Sequence, residues 1–255
     1  MARKRSTSSL PPPYLKRIWF PEEKRADVDW ASYPFSLPLF EKGEFTLTFS
    51  AAVTIFVGEN GAGKSTLLEA IAGYAGYAGF RDGGGGQGMS AVSRSDASGR
   101  DAGDVGSALR GAWLPQIRDG WFFRAETFFS VARYLDEAGS PRADFLSSSH
   151  GEGFLQFFEE RLDRQGLFIF DEPESALSPH KQFDFLKILR RMQRNANAQV
   201  IIATHSPLLM ALPDADLQFV DSYGLRPITL EDTPHFRIYR EFAAYPHETI
   251  EAMIE

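Results

Sequence analysis

The chain has 255 residues and a net charge of −7, and with 43% hydrophobic and 13% aromatic residues it can form one large domain with a substantial core. The lack of cysteine excludes disulfides, thiolate metal sites and cysteine nucleophiles, and the acidic charge argues mildly against unassisted nucleic-acid binding. No apolar run approaches the ~18 residues of a membrane span, and residues 6–13 lack an apolar signal-peptide core, so a cytoplasmic location is expected.

The first fifty residues predict a tail followed by antiparallel strands. Residues 1–13 are rich in Ser and Pro, and we expect them to be disordered. Residues 14–20 predict a first strand. Residues 44–49 alternate polar and apolar side chains with period two, which is typical of a strand with one buried face. An antiparallel β region, built largely from the N-terminal third of the chain, is therefore expected.

A glycine-rich loop between a strand and a helix is the central motif. Residues 53–57 predict a buried strand and residues 67–72 a helix, and the loop between them fits the phosphate-loop pattern G-x-x-x-x-G-K-[ST]. Such a loop turns backbone N–H groups and a helix N-terminus toward phosphate oxygens. Lys64 adds a full positive charge, and the Ser65 hydroxyl is placed to ligate Mg²⁺. The residues expected to bind nucleotide phosphates are Gly58, Glu59, Asn60, Gly61, Ala62, Gly63, Lys64, Ser65 and Thr66.

The middle of the chain is less regular. Residues 80–106 are rich in Gly, Ser and Asp and show no periodicity, which indicates a flexible loop. Regular structure is expected to resume with a strand at 120–124. Helices are predicted at 127–137 and 153–164.

The second half of the chain predicts a parallel sheet. Residues 167–170 and 200–203 are short, wholly apolar runs, and residues 179–193 between them carry the apolar stripe of a crossover helix. Apolar strands that alternate with helices indicate a parallel sheet covered on both faces. Residues 217–220 and 225–230 predict a hairpin.

Polar residues follow two of these apolar strands. Asp171 and Glu172 come directly after residues 167–170, and His205 follows residues 200–203. Because ligands gather at the carboxyl ends of strands in open α/β sheets, these side chains are expected near the phosphate loop. There Asp171 can hold Mg²⁺ through its water, Glu172 can polarise an attacking water, and His205 can contact a terminal phosphate. The alternatives are a solvated acidic turn and a structural histidine.

The segment Ser149-His150-Gly151-Glu152 precedes the helix predicted at 153–164. A Ser/Gly pair at this place fits a helix N-cap and equally an anion site. Taken alone, the segment favours the capping interpretation.

The order of these motifs resembles the ATP-binding cassette (ABC) ATPases, from about residue 45 to residue 220. The resemblance implies a P-loop NTPase three-layer α/β fold with a mainly parallel sheet, an antiparallel β subdomain and a small helical subdomain at residues 127–165. It implies an ATP hydrolase with ATP and Mg²⁺ as cofactors. The acidic motif Asp171-Glu172-Pro173-Glu174 and the sequence Thr204-His205-Ser206 look like soluble ATPases of the SMC/RecF-like kind.

The same resemblance assigns roles to individual residues. Ser65 and Asp171 would hold the metal, Glu172 would be the catalytic glutamate and His205 the switch histidine. Ser149, Gly151 and Glu152 stand where the family has its signature motif, although His150 replaces its first glycine. In this family ATP lies between two subunits, so a homodimer that closes on ATP is implied.

Two further family positions are less clear. Glu126 fits the position of the Q-loop residue, which contacts the metal, better than Gln116 does, because the family places this residue just after a strand. Tyr33 and Phe35 are candidates for the aromatic residue that stacks on adenine, with core packing as the alternative for each.

Several biological roles remain compatible with these features. The favoured role is a soluble, non-transport ATPase switch of the DNA-repair or defence type, with a DNA or protein partner. The alternatives are the ATP-binding subunit of an ABC transporter, which needs a membrane partner, and a nucleotide-gated scaffold with very slow turnover.

Overall fold

The computed structural model describes residues 10–77, 102–117, 119–124, 155, 159 and 164–254. The strands within these ranges are β1 (Leu15–Trp19), β2 (Thr46–Thr48), β3 (Val53–Val57), β4 (Arg110–Trp113), β5 (Gly120–Arg124), β6 (Gly166–Asp171), β7 (Ala198–Ala203), β8 (Asp216–Asp221) and β9 (Gly224–Pro227). The helices are α1 (Glu22–Arg25), α2 (Lys64–Ala75), α3 (Ala102–Ala108), α4 (Pro179–Asn195), α5 (Pro207–Met210), α6 (Pro234–Ala244) and α7 (Pro246–Ile254). Short 3₁₀ segments lie at Pro38–Gly43, Pro173–Ala176 and Leu230–Asp232.

The main sheet has six strands in the order β5-β6-β7-β3-β8-β9. All neighbours in it are parallel except β8 and β9, which form the predicted hairpin. β3 lies in the interior of the sheet between β7 and β8. The carboxyl ends of β3, β5, β6 and β7 therefore meet at one edge, as the strand predictions required.

Two hydrophobic cores cover the two faces of this sheet. On β3, Val53, Ile55 and Val57 belong to one core together with α4, whereas Phe56 belongs to the other together with α2. β6 and β7 divide their side chains between the cores in the same alternating way. This is the three-layer α/β arrangement, with helices on both faces of a mainly parallel sheet, so the predicted fold class is confirmed.

A second, antiparallel sheet has the order β2-β1-β4. β1 and β2 come from the N-terminal third of the chain, as predicted, and β4 is added from beyond it. Gln199 of β7 joins the two sheets: its Oε1 accepts hydrogen bonds from the backbone N–H groups of Tyr14 and Leu15, and its Nε2 donates to the Leu15 carbonyl. This amide is fully buried, so it fixes how the antiparallel sheet lies on the main one.

The prediction of a loop that continues to residue 106 was wrong at its C-terminal end, because α3 begins at Ala102. Val105 and Leu109 are buried against the core that contains α2. A Cβ on Gly106 would lie 2.9 Å from the Ala70 carbonyl oxygen, so glycine permits the close approach of α3 to α2. Tertiary packing, rather than helix propensity, forms this helix. Residues 78–101 lie outside the described ranges.

The tail and the helical subdomain are described only in part. Pro13 is buried, so the folded chain begins within the tail predicted over 1–13, of which residues 1–9 lie outside the described ranges. Most of residues 127–165 also lies outside them, although Leu155 and Glu159 are helical.

The C-terminal helices α6 and α7 were not predicted. Together with Tyr245 between them, they expose seven large hydrophobic side chains: Ile238, Tyr239, Phe242, Tyr245, Ile250, Met253 and Ile254. In the described part of the chain, no helix combines the length and the apolar character needed to cross a membrane.

Candidate functional site

The phosphate loop connects β3 to α2 at the carboxyl edge of the main sheet. Gly63 has a φ of 97° and precedes the first helical residue, Lys64. This left-handed conformation favours glycine. Gly58 is required for a different reason: a Cβ there would lie 2.2 Å from the carbonyl oxygen of Val220 on β8. The two glycines therefore let the loop curl tightly against the sheet.

Lys64 is held inside this loop. Its Nζ donates to the carbonyl oxygens of Gly58 at 2.7 Å and Glu59 at 2.9 Å, and the side chain is buried. Burial lowers the pKa of Lys64, and the nearby carboxylates of Glu172 and Asp171 partly oppose this effect. The ammonium group is therefore held within the loop by two carbonyl oxygens and lies near two carboxylates.

A cavity of about 200 Å³ opens beside the loop. It is lined by residues of the loop, by two residues of the N-terminal region and by one carboxylate: Asn60, Gly61, Gly63, Lys64, Ser65, Thr66, Tyr33, Leu37 and Glu172. Tyr33 also lines a larger cavity of about 510 Å³.

Tyr33 and Phe35 have different surroundings. The Tyr33 ring is half exposed and its hydroxyl lies 3.2 Å from Thr66 Oγ1. Phe35 packs against Phe20 and Trp30 in the core. Of the two sequence candidates for a base-stacking aromatic, Tyr33 is the one with a ring available to a ligand.

Ser65 and Asp171 meet at the sheet edge, as predicted. Ser65 Oγ donates to Asp171 Oδ1 at 3.1 Å, and Asp171 is buried. A hydroxyl and a carboxylate oxygen are groups that Mg²⁺ prefers, directly or through its bound water, so this pair fits the metal. Within the described ranges, no three His, Asp or Glu side chains are grouped to hold a metal by themselves. Mg²⁺ commonly takes only one or two protein carboxylates and completes its shell with water and phosphate oxygens.

Arg124 fixes the other oxygen of Asp171. Its Nε donates to Asp171 Oδ2 at 2.9 Å, and its Nη2 forms a short contact with Glu69 of α2. Arg124 lies opposite Asp171 in the parallel pairing of β5 and β6. Sequence analysis gave it no role, although its position at the end of a predicted strand placed it at this edge.

Glu172 follows Asp171 in a left-handed conformation, with a φ of 47° and a ψ of 54°. A non-glycine residue rarely adopts these angles, and such strain clusters at functional sites. The backbone N–H of Glu172 donates to the Ala203 carbonyl at 2.9 Å, which holds the residue beside β7. Glu172 lines the smaller cavity together with residues of the phosphate loop.

His205 lies at the same edge. Its Nε2 is 3.5 Å from Glu172 Oε1, and its Nδ1 is 3.1 Å from Nε2 of His235 on α6. The backbone N–H of His205 donates to Oε1 of Glu174 at 2.6 Å. Burial lowers the pKa of His205, and the positive charge of Lys64 lowers it further.

His235 and Glu174 are therefore also part of the site, and sequence analysis missed both roles. His235 is 30 residues from His205, and no motif connects them. The pair Thr233-Pro234 is a typical helix start and could have predicted α6. Glu174 gave no signal beyond its place in the acidic motif. Burial raises the pKa of Glu174.

The remaining sequence candidates are Ser149, Gly151, Glu152 and Glu126. All four lie outside the described residues, so their assignments stay predictions.

Comparisons with known proteins identify the domain class. The family model "AAA domain" matches residues 31–106, which include the phosphate loop, and the model "AAA domain, putative AbiEii toxin, Type IV TA system" matches residues 146–211, which include Asp171, Glu172 and His205. The two matches support an ATPase domain of the AAA type that includes the phosphate loop and the acidic motif. No functionally curated protein matches it.

A comparison with solved structures finds three, among others, that are similar to this chain. CbiO1 from Clostridium perfringens, described as part of the ABC transporter complex cbiONQ, is 16% identical; the match covers 83% of this chain and 91% of CbiO1, with a TM-score of 0.47. The SMC head domain from Thermotoga maritima is 14% identical, with 84% and 99% covered and a TM-score of 0.45. "An inward-facing conformation of a putative metal-chelate type ABC transporter" is 16% identical, with 74% and 76% covered and a TM-score of 0.41.

Proposed function

We propose that the protein binds Mg²⁺·ATP and hydrolyses its terminal phosphate bond. The observation that supports this most is the convergence of five side chains of different chemistry at one sheet edge. They are an ammonium, a hydroxyl, two carboxylates and an imidazole: Lys64, Ser65, Asp171, Glu172 and His205. Phosphoryl transfer depends almost entirely on positioning and charge stabilisation, which such a set can supply.

Binding is divided among three groups of residues. The backbone N–H groups from Gly58 to Thr66 and the Lys64 ammonium hold the phosphates. Ser65 and Asp171 hold Mg²⁺, which neutralises charge on the phosphate oxygens when it is bound. Glu126 is proposed as a third residue that contacts the metal. The exposed ring of Tyr33 is the surface on which the base stacks.

The carboxylate of Glu172 acts on the attacking water. As the water oxygen bonds to the terminal phosphorus, the bond from that phosphorus to the ADP oxygen breaks, and Glu172 accepts the water proton. Lys64 and His205 stabilise the charge that develops on the transferred phosphate. The products are ADP and inorganic phosphate.

The hydrolysis cycle drives a dimer that serves a non-transport process. Glu172 and His205 keep part of their side-chain surface exposed at the sheet edge, where a second subunit can cover the nucleotide. Ser149, Gly151 and Glu152 of that subunit would contact the terminal phosphate. The matched model named for a toxin of a Type IV TA system favours a defence-type role over transport. Hydrolysis stimulated by DNA would identify DNA as the partner, and a protein partner is the alternative.

Two variants test the ATPase proposal. Glu172→Gln is expected to bind ATP at least as well as the wild type, because it removes like-charge repulsion, and to lose roughly 10²-fold or more in turnover. Lys64→Ala is expected to lose nucleotide binding while its circular dichroism stays unchanged. The matched control is Glu241→Gln, an exposed residue of α6. Wild-type turnover in Glu172→Gln removes Glu172 from its role, and unchanged ATP affinity in Lys64→Ala contradicts the phosphate-loop assignment.

A further inference from the structure

The start of α6 brings a second histidine to the site, and this helix start is firmly held. Thr233 is fully buried. Its Oγ1 donates to the Leu230 carbonyl at 2.7 Å and accepts from the Phe236 N–H at 3.2 Å, which caps α6. His235, two residues after this cap, is therefore fixed in position.

The surroundings of the two imidazoles determine which ring donates the hydrogen bond between them and which ring accepts it. His235 Nε2 and His205 Nδ1 are 3.1 Å apart, so one nitrogen carries a proton and the other accepts it. The two outer nitrogens, His235 Nδ1 and His205 Nε2, are both buried and have no hydrogen-bond partner within the described part of the chain, but His205 Nε2 lies only 3.5 Å from the carboxylate oxygen Oε1 of Glu172. A buried N–H without an acceptor is less tolerable than a buried lone pair without a donor. The proton of neutral His235 therefore belongs on Nε2, which donates to His205 Nδ1.

This direction determines the tautomer of His205. With Nδ1 as an acceptor, the proton of neutral His205 lies on Nε2, the nitrogen nearest Glu172. Burial lowers the pKa of both histidines, and the positive charge of Lys64 lowers both further while Glu59 opposes it. Both rings are therefore mainly neutral near pH 7.

We infer that His235 is a positioning residue that orients His205 and keeps its proton on Nε2, directed at the reacting phosphate. The hydrogen bond and the tautomer follow from the contacts of the two rings. The catalytic consequence rests on the proposed function, because it requires ATP in the site. Through His235, the otherwise exposed helix α6 has a direct connection to the ATPase site.

The first experiment needs no nucleotide. Two-bond ¹H–¹⁵N spectra of histidine-labelled protein report which ring nitrogen of each of the five histidines is protonated. We expect protonated Nε2 in both His205 and His235, with unprotonated His205 Nδ1 as the hydrogen-bond acceptor. Signals are assigned with His205→Gln and His235→Gln. In His235→Ala the His205 Nδ1 resonance should move toward that of a free acceptor, whereas His247→Ala, an exposed residue of α7, should leave it unchanged. A proton on His205 Nδ1 in the wild type, or no shift in His235→Ala, overturns the inference.

The second experiment measures catalysis with a double-mutant cycle. His235→Ala should lower kcat roughly 10-fold with little change in ATP affinity, the size typical of groups that orient a functional side chain. His235→Gln should restore most of the rate, because its amide N–H can replace Nε2–H. In a His205→Ala background the His235→Ala change should have no further effect. An equal loss in that background shows that His235 acts independently and overturns the inference. If the wild type hydrolyses no ATP, the proposed function fails while the spectra still test the histidine pair.

Discussion

At the scale of single residues, the site depends on side chains that hold other side chains. Asp171 lies between Ser65, which faces the proposed metal, and Arg124, which fixes its second oxygen. His205 is similarly held by His235 through its ring and by Glu174 through its backbone. Such supporting contacts decide whether a ligand meets an ordered site.

Arg124 should affect the Mg²⁺ concentration that ATP hydrolysis requires. Arg124→Ala frees one oxygen of Asp171, so the Mg²⁺ concentration for half-maximal ATP hydrolysis should rise roughly 10-fold. Arg124→Lys should recover little, because an ammonium cannot reach Asp171 and Glu69 with the planar geometry of a guanidinium.

Two controls show whether Arg124→Ala acts through Mg²⁺ and not through a general loss of structure. ATP binding without Mg²⁺ should be unaltered in Arg124→Ala. Arg226→Ala, which removes a surface ion pair with Asp221, should leave the Mg²⁺ dependence unchanged. An unaltered Mg²⁺ requirement in Arg124→Ala would show that Asp171 does not need this contact.

Glu174 should make stability depend on pH. Its pKa is raised above the ordinary value of 4.5, mainly by burial. Its contribution to stability is therefore fully present below pH 4.5 and is lost as the pH rises through the higher folded-state pKa. Glu174→Gln keeps an acceptor for the His205 N–H and cannot ionise, so its melting temperature relative to the wild type should increase between pH 4.5 and pH 8.

Thermal unfolding at several pH values measures this difference. Glu241→Gln, at an exposed position, is the control and should follow the wild type throughout. A difference between Glu174→Gln and wild type that stays constant with pH would contradict a raised pKa at Glu174.

At the scale of elements, the connection between the two sheets is a polar contact inside an apolar core. Gln199→Ala leaves the N–H groups of Tyr14 and Leu15 and the Leu15 carbonyl without their partner. Because each buried unpaired group costs about 1–3 kcal/mol, the free energy of unfolding should fall by about 3 kcal/mol or more.

Urea denaturation measures the loss. Gln193→Ala, on the surface side of α4, removes a donor to the Pro213 carbonyl and should cost under about 1 kcal/mol. If the two variants are equally stable, Gln199 does not connect the sheets in solution.

At the scale of the whole molecule, ATP should control association. Glu172→Gln should elute from gel filtration as a dimer with Mg²⁺·ATP and as a monomer without it, because it binds ATP and does not turn it over. Ser149→Arg, added to Glu172→Gln, should abolish this shift by obstructing the partner's terminal phosphate. Lys64→Ala should stay monomeric in all conditions. A protein that remains monomeric with every nucleotide would contradict the ATP-closed dimer.

Local patterns along the chain predicted the elements that form the ATPase core. Strands β3, β6 and β7 carry mostly apolar side chains because both faces of the sheet are covered, and such runs are visible in the sequence. The phosphate loop is a local sequence motif, although Gly58 is also required by the close approach of Val220 on β8. Asp171, Glu172 and His205 lie at or just after the carboxyl ends of β6 and β7, so the parallel sheet brought them together as expected.

Tertiary structure alone decided the features that join distant parts of the chain. α3 contains two glycines and no long apolar stripe, and it is helical because it packs closely on α2. β4 pairs with β1, and Gln199 reaches the same strand from the other sheet. The contacts of Arg124 with Asp171 and of His235 with His205 join residues 47 and 30 positions apart. The sequence by itself determined the loop, the buried strands and the chemistry that follows them, because these depend on neighbours in the chain. Contacts between distant residues leave no periodic signal, so only the folded chain assigns partners to Asp171 and His205.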